Sequence, residues 1–183
     1  AQLLGESEQL QSDDSRLAEI IQQHTQRMNS IIESVLHISR RQPPQPQALE
    51  IDGWMRSFLH DYGQITNSEH NVEYLSPAET IQVSFDFQHL QRVLVNLLDN
   101  ARRHSEMHTG KASAIIQVSR DHLGQRCVID VIDQGAGVSE SERAKLFEPF
   151  YTTVEKGTGL GLYLCKELCE INNANLIYRP TAK

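Results

Sequence analysis

Cysteine is scarce in this chain, basic residues are outnumbered by acidic ones, and no long apolar run occurs. The three cysteines, Cys127, Cys165 and Cys169, are an odd number in apolar settings. That argues against a disulfide framework and fits a reducing cytosol. Cys165 and Cys169 stand four residues apart and could in principle ligate a metal. No His or acidic partner supports that spacing, so both are expected to be buried structural thiols. A net charge of -7 speaks against nucleic acid or an anionic membrane surface as the main partner. No run approaches the ~20 apolar residues of a membrane span, and no signal peptide is visible. A cytoplasmic location is therefore expected, with any membrane anchor lying upstream. The 183 residues, 39% hydrophobic and 22% charged, suffice for one fair-sized domain and a smaller element.

The most informative stretch is Gln88 to Ser105. On a helix at ~100° per residue, Leu90, Val93, Leu94, Leu97, Leu98 and Ala101 fall on one face, which reads as a core stripe. Asn96 and Asn100 lie one turn apart on a flank of that stripe, and Arg103 joins them a turn further on. Two amides and a guanidinium beside a buried face suggest a ligand shelf. The helix by itself reads equally well as an ordinary amphipathic helix with solvated Asn and Arg.

In chain order, residues 1 to 11 read as the tail of a helix. Ser12-Asp13-Asp14-Ser15 is a turn and cap, and a second helix runs from about Ser15 to Arg41. Leu17, Ile21, His24, Met28, Ile31, Val35 and Ile38 follow a heptad seam, with Ile20 and Ile32 widening it. Such a seam needs partners, so residues 15 to 41 are expected to form half of a hairpin completed as a four-helix bundle in a homodimer. His24 would be a packed seam residue. Pro43, Pro44 and Pro46 end the helix and make a stiff linker, dividing the chain into 1–41, a linker 42–48, and 49–183. Beyond it, Ile51, Trp54, Met55, Phe58, Leu59 and Tyr62 give a helical face. Val72–Leu75 and Ile81–Phe85 read as strands flanking a turn at Ser76-Pro77, and the Asn-bearing helix follows. Next come strands Ser113–Arg120 and Arg126–Ile132, a short helix around Ser139–Leu146, and an irregular stretch Glu148–Lys156. A helix Gly159–Asn172 and a last strand Leu176-Ile177-Tyr178 complete the chain. The expectation is an α+β fold, a two-layer α/β sandwich behind a helical-hairpin segment.

Two glycine motifs follow the Asn-bearing helix. Asp133-Gln134-Gly135-Ala136-Gly137 closes an apolar strand, so Asp133 projects from a rigid edge and the glycines allow close backbone approach to a planar ligand. A carboxylate there can accept from an exocyclic amine such as that of adenine; Asp and Gly are also common turn residues. Lys156-Gly157-Thr158-Gly159-Leu160-Gly161-Leu162 opens a helix, which turns backbone N–H groups and a dipole end toward an anion. It lacks the spacing of a Walker loop and of a dinucleotide fingerprint.

Taken in order, these motifs resemble the ATP-binding domain of sensor histidine kinases of two-component systems, the Bergerat or GHKL fold. Asn96–Ala101 looks like the N box, Asp133–Gly137 like the G1 box, Phe147-Glu148-Pro149-Phe150 like the F box and Gly157–Leu162 like the G2 box, over about residues 86 to 172. Residues 15 to 41 resemble the second helix of the dimerisation and phosphotransfer hairpin. The short lid and the glycine loop resemble the NtrB-like branch. Ala1–Ser7 and Lys166–Glu170 look closest to its regulators of type IV pili.

The resemblance implies ATP and Mg²⁺ as cofactors, with Asn100 and Arg103 the catalytic pair. Asn100 would offer its side-chain oxygen to Mg²⁺, a hard ion that otherwise keeps waters and phosphate oxygens. Asn96 would contact phosphate or the ion's water shell, and Arg103 would stabilise charge on the terminal phosphates. His104 would line the adenine or ribose side, and Asp133 would read the adenine amine. Gly135 and Gly137 would give clearance. Lys156, Gly157, Thr158, Gly159, Leu160 and Gly161 would close over the triphosphate, Tyr151–Glu155 forming a mobile lid with Phe147 and Phe150 as its packing anchors. A response regulator receiver domain is the implied partner.

Two departures from the family pattern stand out. The phosphoacceptor box, a His followed by an acidic residue and then a basic residue and a Pro, is missing; His60-Asp61 falls after the linker. The acceptor would lie upstream, so this chain should bind ATP without phosphorylating itself. The late Gly-Gly pair is replaced around Asn172-Asn173-Ala174-Asn175. The same fold serves ATPases of the gyrase and Hsp90 type, which carry a Glu one turn before the metal-binding Asn to activate water. Asn96 stands there and cannot take a proton at neutral pH. A non-catalytic dimeric nucleotide sensor is the other alternative.

Overall fold

A computed structural model of the chain describes residues 43–66, 71–154 and 157–180, together with Leu17, Ala18, Ile20, Ile21, Gln22, Thr25 and Met28. Two compact units emerge: residues 43–147 with 161–183, and residues 148–160 with the N-terminal segment up to Gln42. The described positions between Leu17 and Met28 are helical. The rest of the 15–41 helix, His24 included, lies outside the described residues.

The larger unit begins with β1 (Gln47–Glu50) and α1 (Ile51–Thr66), followed by β2 (Val72–Leu75), β3 (Gln82–Phe85) and α2 (Phe87–Thr109). β4 (Ala114–Arg120), β5 (Cys127–Ile132), the single turn α3 (Glu140–Arg143) and α4 (Gly161–Ile171) complete it. β2, β4 and β5 form a mixed sheet, β2 parallel and β5 antiparallel to the central β4. β1 and β3 form a separate antiparallel pair. This is an α+β fold with helices packed on one mixed sheet and one antiparallel pair.

Two features go beyond the sequence reading, and one expectation needs revision. Gln47–Glu50 lacks β-branched residues and follows a proline cluster, yet it is a strand, because the ladder to β3 supplies its hydrogen bonds. β2 and β3 do not pair across Ser76-Pro77; each belongs to a different sheet. Leu176-Ile177-Tyr178 is not a strand: Leu176 and Tyr178 are half-buried and Ile177 is exposed, but no ladder forms.

The α2 helix organises the core. Asp86 caps it, its side chain accepting from the N–H groups of Gln88 and His89 at 3.0 and 3.2 Å. Gly110 ends it in the left-handed conformation at φ 76°, donating to Glu106 O. The apolar stripe of the sequence divides in two. Leu90, Leu94, Leu98 and Ala101 pack with Ile51, Met55, Phe58 and Tyr62 of α1 and with Ala114, Ile116 and Val118 of β4. Val93, with Leu97 beside it, packs instead with Cys165, Leu168 and Cys169 of α4. Both α4 cysteines are buried, and burial pushes their thiols up to about 12 and 11, so they stay neutral packing groups.

Candidate functional site

With two stripes of α2 committed to packing, a third flank carries the polar residues. Asn96, Asn100, Arg103 and His104 are all half-buried along it. Arg103 Nη2 donates to Asn100 Oδ1 at 3.2 Å, so the guanidinium and the amide oxygen form one unit. Asn96 Nδ2 donates to Arg92 O at 3.0 Å, one turn back. The start of α4 comes up against this amide: a Cβ on Gly161 would stand 2.9 Å from Asn96 Oδ1. Only a residue without a side chain lets α4 begin there with Asn96 undisturbed.

The turn after β5 sits against the same helix. Ser105 is fully buried, and its Oγ accepts from Gln134 N–H at 2.9 Å. A Cβ on Gly135 would lie 3.1 Å from His104 Cβ and 2.7 Å from Asp133 Oδ1. The glycine is thus demanded by the packing of the turn on α2 as well as by Asp133, whose Oδ1 accepts from Gly135 N–H at 2.7 Å. Gly137 is needed for its backbone, at φ 80°. Past it, Val138 N–H donates to Tyr178 Oη at 3.2 Å, and Arg143 lies over the Tyr178 ring. The Asp133 carboxylate itself is exposed at the end of this pinned turn.

Ser105 and Tyr178 are functional supports that the sequence reading did not pick out. Ser105 carries one faint signal, a polar residue at the end of the apolar stripe. Tyr178 carries none, since its partner is a backbone N–H forty residues away.

On its opposite side α2 is tied to α1. Tyr62 Oη donates to Asp99 Oδ1 at 2.7 Å and accepts from Arg102 Nη1 at 3.0 Å. Burial first, then the Asp99 carboxylate, pushes the Tyr62 phenol up to about 12. At the helix start, Asp86 also accepts from Gln45 N–H at 2.9 Å, and its own N–H donates to Asn172 Oδ1. Asn172 Nδ2 in turn donates to Leu168 O at 2.8 Å, so its side chain bridges α4 to the cap of α2. Burial opposes the charge on Asp86, but the N–H groups of Gln45, His89 and Gln88 and the nearby His89 ring outweigh it and hold the carboxyl below its usual range.

Gly157, Thr158, Gly159 and Leu160 belong to the other compact unit, and Lys156 and Glu155 lie outside the described residues. Within the 148–160 segment, Phe150 N–H donates to Gly159 O at 2.9 Å, and both residues are left-handed, at φ 67° and 68°. A Cβ on Gly159 would meet Phe150 C at 2.4 Å. Phe150 is 66% exposed, which corrects its expected role as a packing anchor. Its left-handed backbone serves the bond to Gly159, and its ring faces solvent. Phe147 is half-buried, with Lys166 Nζ 5.9 Å from its ring centre.

No group of three or more His, Cys, Asp or Glu among the described residues is arranged to hold a metal ion. The hard donors this flank offers are two amide oxygens, Asn96 Oδ1 and Asn100 Oδ1. That suits an ion which takes its remaining ligands from water and phosphate, and does not suit a metal that needs a protein cage. No described helix is long and apolar enough to cross a membrane.

A mixed sheet backed by helices thus carries two amides and a guanidinium on one helix and an exposed carboxylate at a strand end. The chain belongs to the histidine kinase-, DNA gyrase B- and HSP90-like ATPase family, matched over residues 85–182. Among its relatives, the sensor protein kinase PilS of Pseudomonas aeruginosa is 42% identical over 98% of this chain and 34% of that protein. Sporulation kinase D of Bacillus subtilis is 28% identical, over 85% of this chain and 30% of its own length. The chain thus spans about a third of the length of these curated relatives. Full-length ShkA in complex with AMPPNP has a similar fold, with a TM-score of 0.66 at 22% identity over 92% of this chain and 36% of that one. So does the histidine kinase ThkA in complex with the response regulator TrrA, with a TM-score of 0.66 at 20% identity over 94% and 49%.

Proposed function

We propose that this chain is the catalytic portion of a sensor histidine protein kinase, which binds Mg-ATP and transfers the γ-phosphoryl group to a His upstream of it. The phosphoryl group then passes to an Asp of a response regulator receiver domain. The observation that carries this reading is the seating of the Asp133–Gly137 turn against α2 at His104, beside Asn100 and Arg103, in a chain of this ATPase family. The likeness to PilS supports a role in type IV pilus regulation.

In this reading Asp133 accepts a hydrogen bond from the adenine amine, and His104 borders the base or ribose. Asn100 Oδ1 holds Mg²⁺, which when bound neutralises charge on the phosphates. Arg103, already hydrogen-bonded to that oxygen, turns its remaining donors to the terminal phosphates, where charge spreads in a loose transition state. Asn96 contacts phosphate or the ion's water. Lys156, Gly157, Thr158, Gly159, Leu160 and Gly161 contribute backbone amides and one cation over the triphosphate, with 151–155 as the lid. Residues 1–41 form the partial dimerisation hairpin, 42–48 the linker and 49–183 the catalytic domain. The exposed helical residues Leu17, Ile20, Ile21 and Met28 support dimerisation through 15–41. The whole protein would be cytoplasmic here and anchored in the membrane upstream.

The amide of Asn96 disfavours water-activating ATPase chemistry, which needs a proton acceptor at that position. The test is a longer chain that includes the preceding helix, incubated with Mg²⁺ and γ-labelled ATP. Acid-labile, base-stable label that disappears in Asn100→Asp is the expected result. Nucleotide binding without label would favour a sensing module, and rapid hydrolysis by the present chain would favour an ATPase.

A further inference from the structure

The Asp133 carboxylate can read a base only if its turn is held at a fixed distance from α2. The backbone after β5 has left the sheet by then, and Asp133 is exposed. What holds the turn on the α2 side is one fully buried hydroxyl, Ser105 Oγ, which accepts from Gln134 N–H at 2.9 Å. Gly135 lies directly over His104, with room for no side chain. The next residue up the helix that bears on the proposed site is Arg103, bonded to Asn100. Ser105 is thus the joint between the phosphate-facing residues and the base-facing carboxylate.

We propose that Ser105 is a positioning residue for purine specificity: its bond to the Gln134 amide sets the Asp133 carboxylate at the 6-amino group of the base. The inference rests on the reading of Asp133 given above and extends it to a residue that touches no nucleotide. Hydrogen bonds from an amine to a carboxylate are directional and weaken steeply as they bend. A turn free to shift by a fraction of an ångström therefore loses the amine contact while keeping the shape of the pocket. The phosphate contacts, on Asn100 and Arg103, do not pass through this joint.

The experiment compares two nucleotides, ATP and purine-riboside triphosphate, which lacks the 6-amine, by competition against a fluorescent nucleotide in the presence of Mg²⁺. Ser105→Ala keeps the helix and removes only the hydroxyl. It should weaken ATP about tenfold and leave the amine-free analogue within about twofold, so that discrimination between the two collapses. Asp133→Ala, which removes the acceptor, should collapse it as well. A stability effect alone would weaken both nucleotides equally, and that outcome overturns the role of Ser105, as does unchanged discrimination. If Asp133→Ala itself leaves the ratio intact, the reading of Asp133 fails first; if only Ser105→Ala does, the joint alone is refuted.

Discussion

Gly161→Ala separates the site from the fold more cleanly than any core substitution. Gly161 opens α4, and its backbone is not left-handed, so alanine is conformationally acceptable there. The new methyl would stand 2.9 Å from Asn96 Oδ1. Carbon–oxygen contacts settle at about 3.3–3.6 Å, so the carboxamide must move by several tenths of an ångström. It is the end of a side chain with two torsions, and it yields before the helix does. Yielding loses the bond from Asn96 Nδ2 to Arg92 O at 3.0 Å, a cost of about 0.5–1.5 kcal/mol. Alanine recovers up to about 1 kcal/mol relative to glycine through a less mobile unfolded chain. The net change in stability is within about 1 kcal/mol of zero. Affinity should respond differently, because a hydrogen bond to a charged phosphate is worth about 1.5–3 kcal/mol, or tenfold or more in the binding constant. Urea unfolding and calorimetry with Mg-ATP would be run on wild type, Gly161→Ala, Asn96→Ala and the double variant. In the Asn96→Ala background, Gly161→Ala should cost almost nothing further. An undiminished loss of affinity in that background would refute the reasoning, as would a large loss of stability with affinity intact.

Gly159→Ala should weaken nucleotide binding with little change in thermal midpoint. A left-handed alanine costs about 1–2 kcal/mol and its methyl would collide with the Phe150 backbone, but the strain stays within the 148–160 segment. A midpoint lowered by many degrees with binding intact would contradict this. Leu98→Ala, at a fully buried position between α1 and β4, should cost about 3–5 kcal/mol in urea unfolding, and a loss under 1 would mean that the core had been misassigned. The Asp86 carboxyl is held below its ordinary value of 3.8, so its charge adds stability that is complete above that value and lost as pH falls through the folded-state pKa. Asp86→Asn should be less stable than wild type near neutral pH, with the gap closing in acid; a gap that widens in acid would reverse the sign. The Tyr62 phenol, raised to about 12, adds stability that is full below its ordinary 10 and lost between the two values. Tyr62→Phe should flatten that alkaline limb of a pH–stability curve.

Much of this was legible along the chain, and the reason differs by element. α2 was readable because its cap, period and C-terminal glycine are local, each requiring only residues within a turn or two of one another. The strand-end Asp133 and the glycines were readable because the motif closes an apolar run. β1 was not, since nothing in Gln-Ala-Leu-Glu favours a strand until β3 lies beside it. Leu176-Ile177-Tyr178 erred the other way: strand-forming residues alternate in burial there, but no ladder forms. Phe150 looked apolar and hence buried, and only the Gly159 carbonyl explains why its backbone turns and its ring stays out.

The amino-acid order by itself determined the family, the Asn-bearing helix, the acidic strand end and the glycine loop, since those signals are written in spacing and local chemistry. Tertiary structure alone decided that the apolar stripe of α2 serves two neighbours and leaves its amide flank free. It alone decided that Gly135 and Gly161 are glycines because α2 stands against them, and that Ser105 joins the helix to the carboxylate. Those facts depend on distances between residues far apart in the chain, which packing sets and no local pattern encodes.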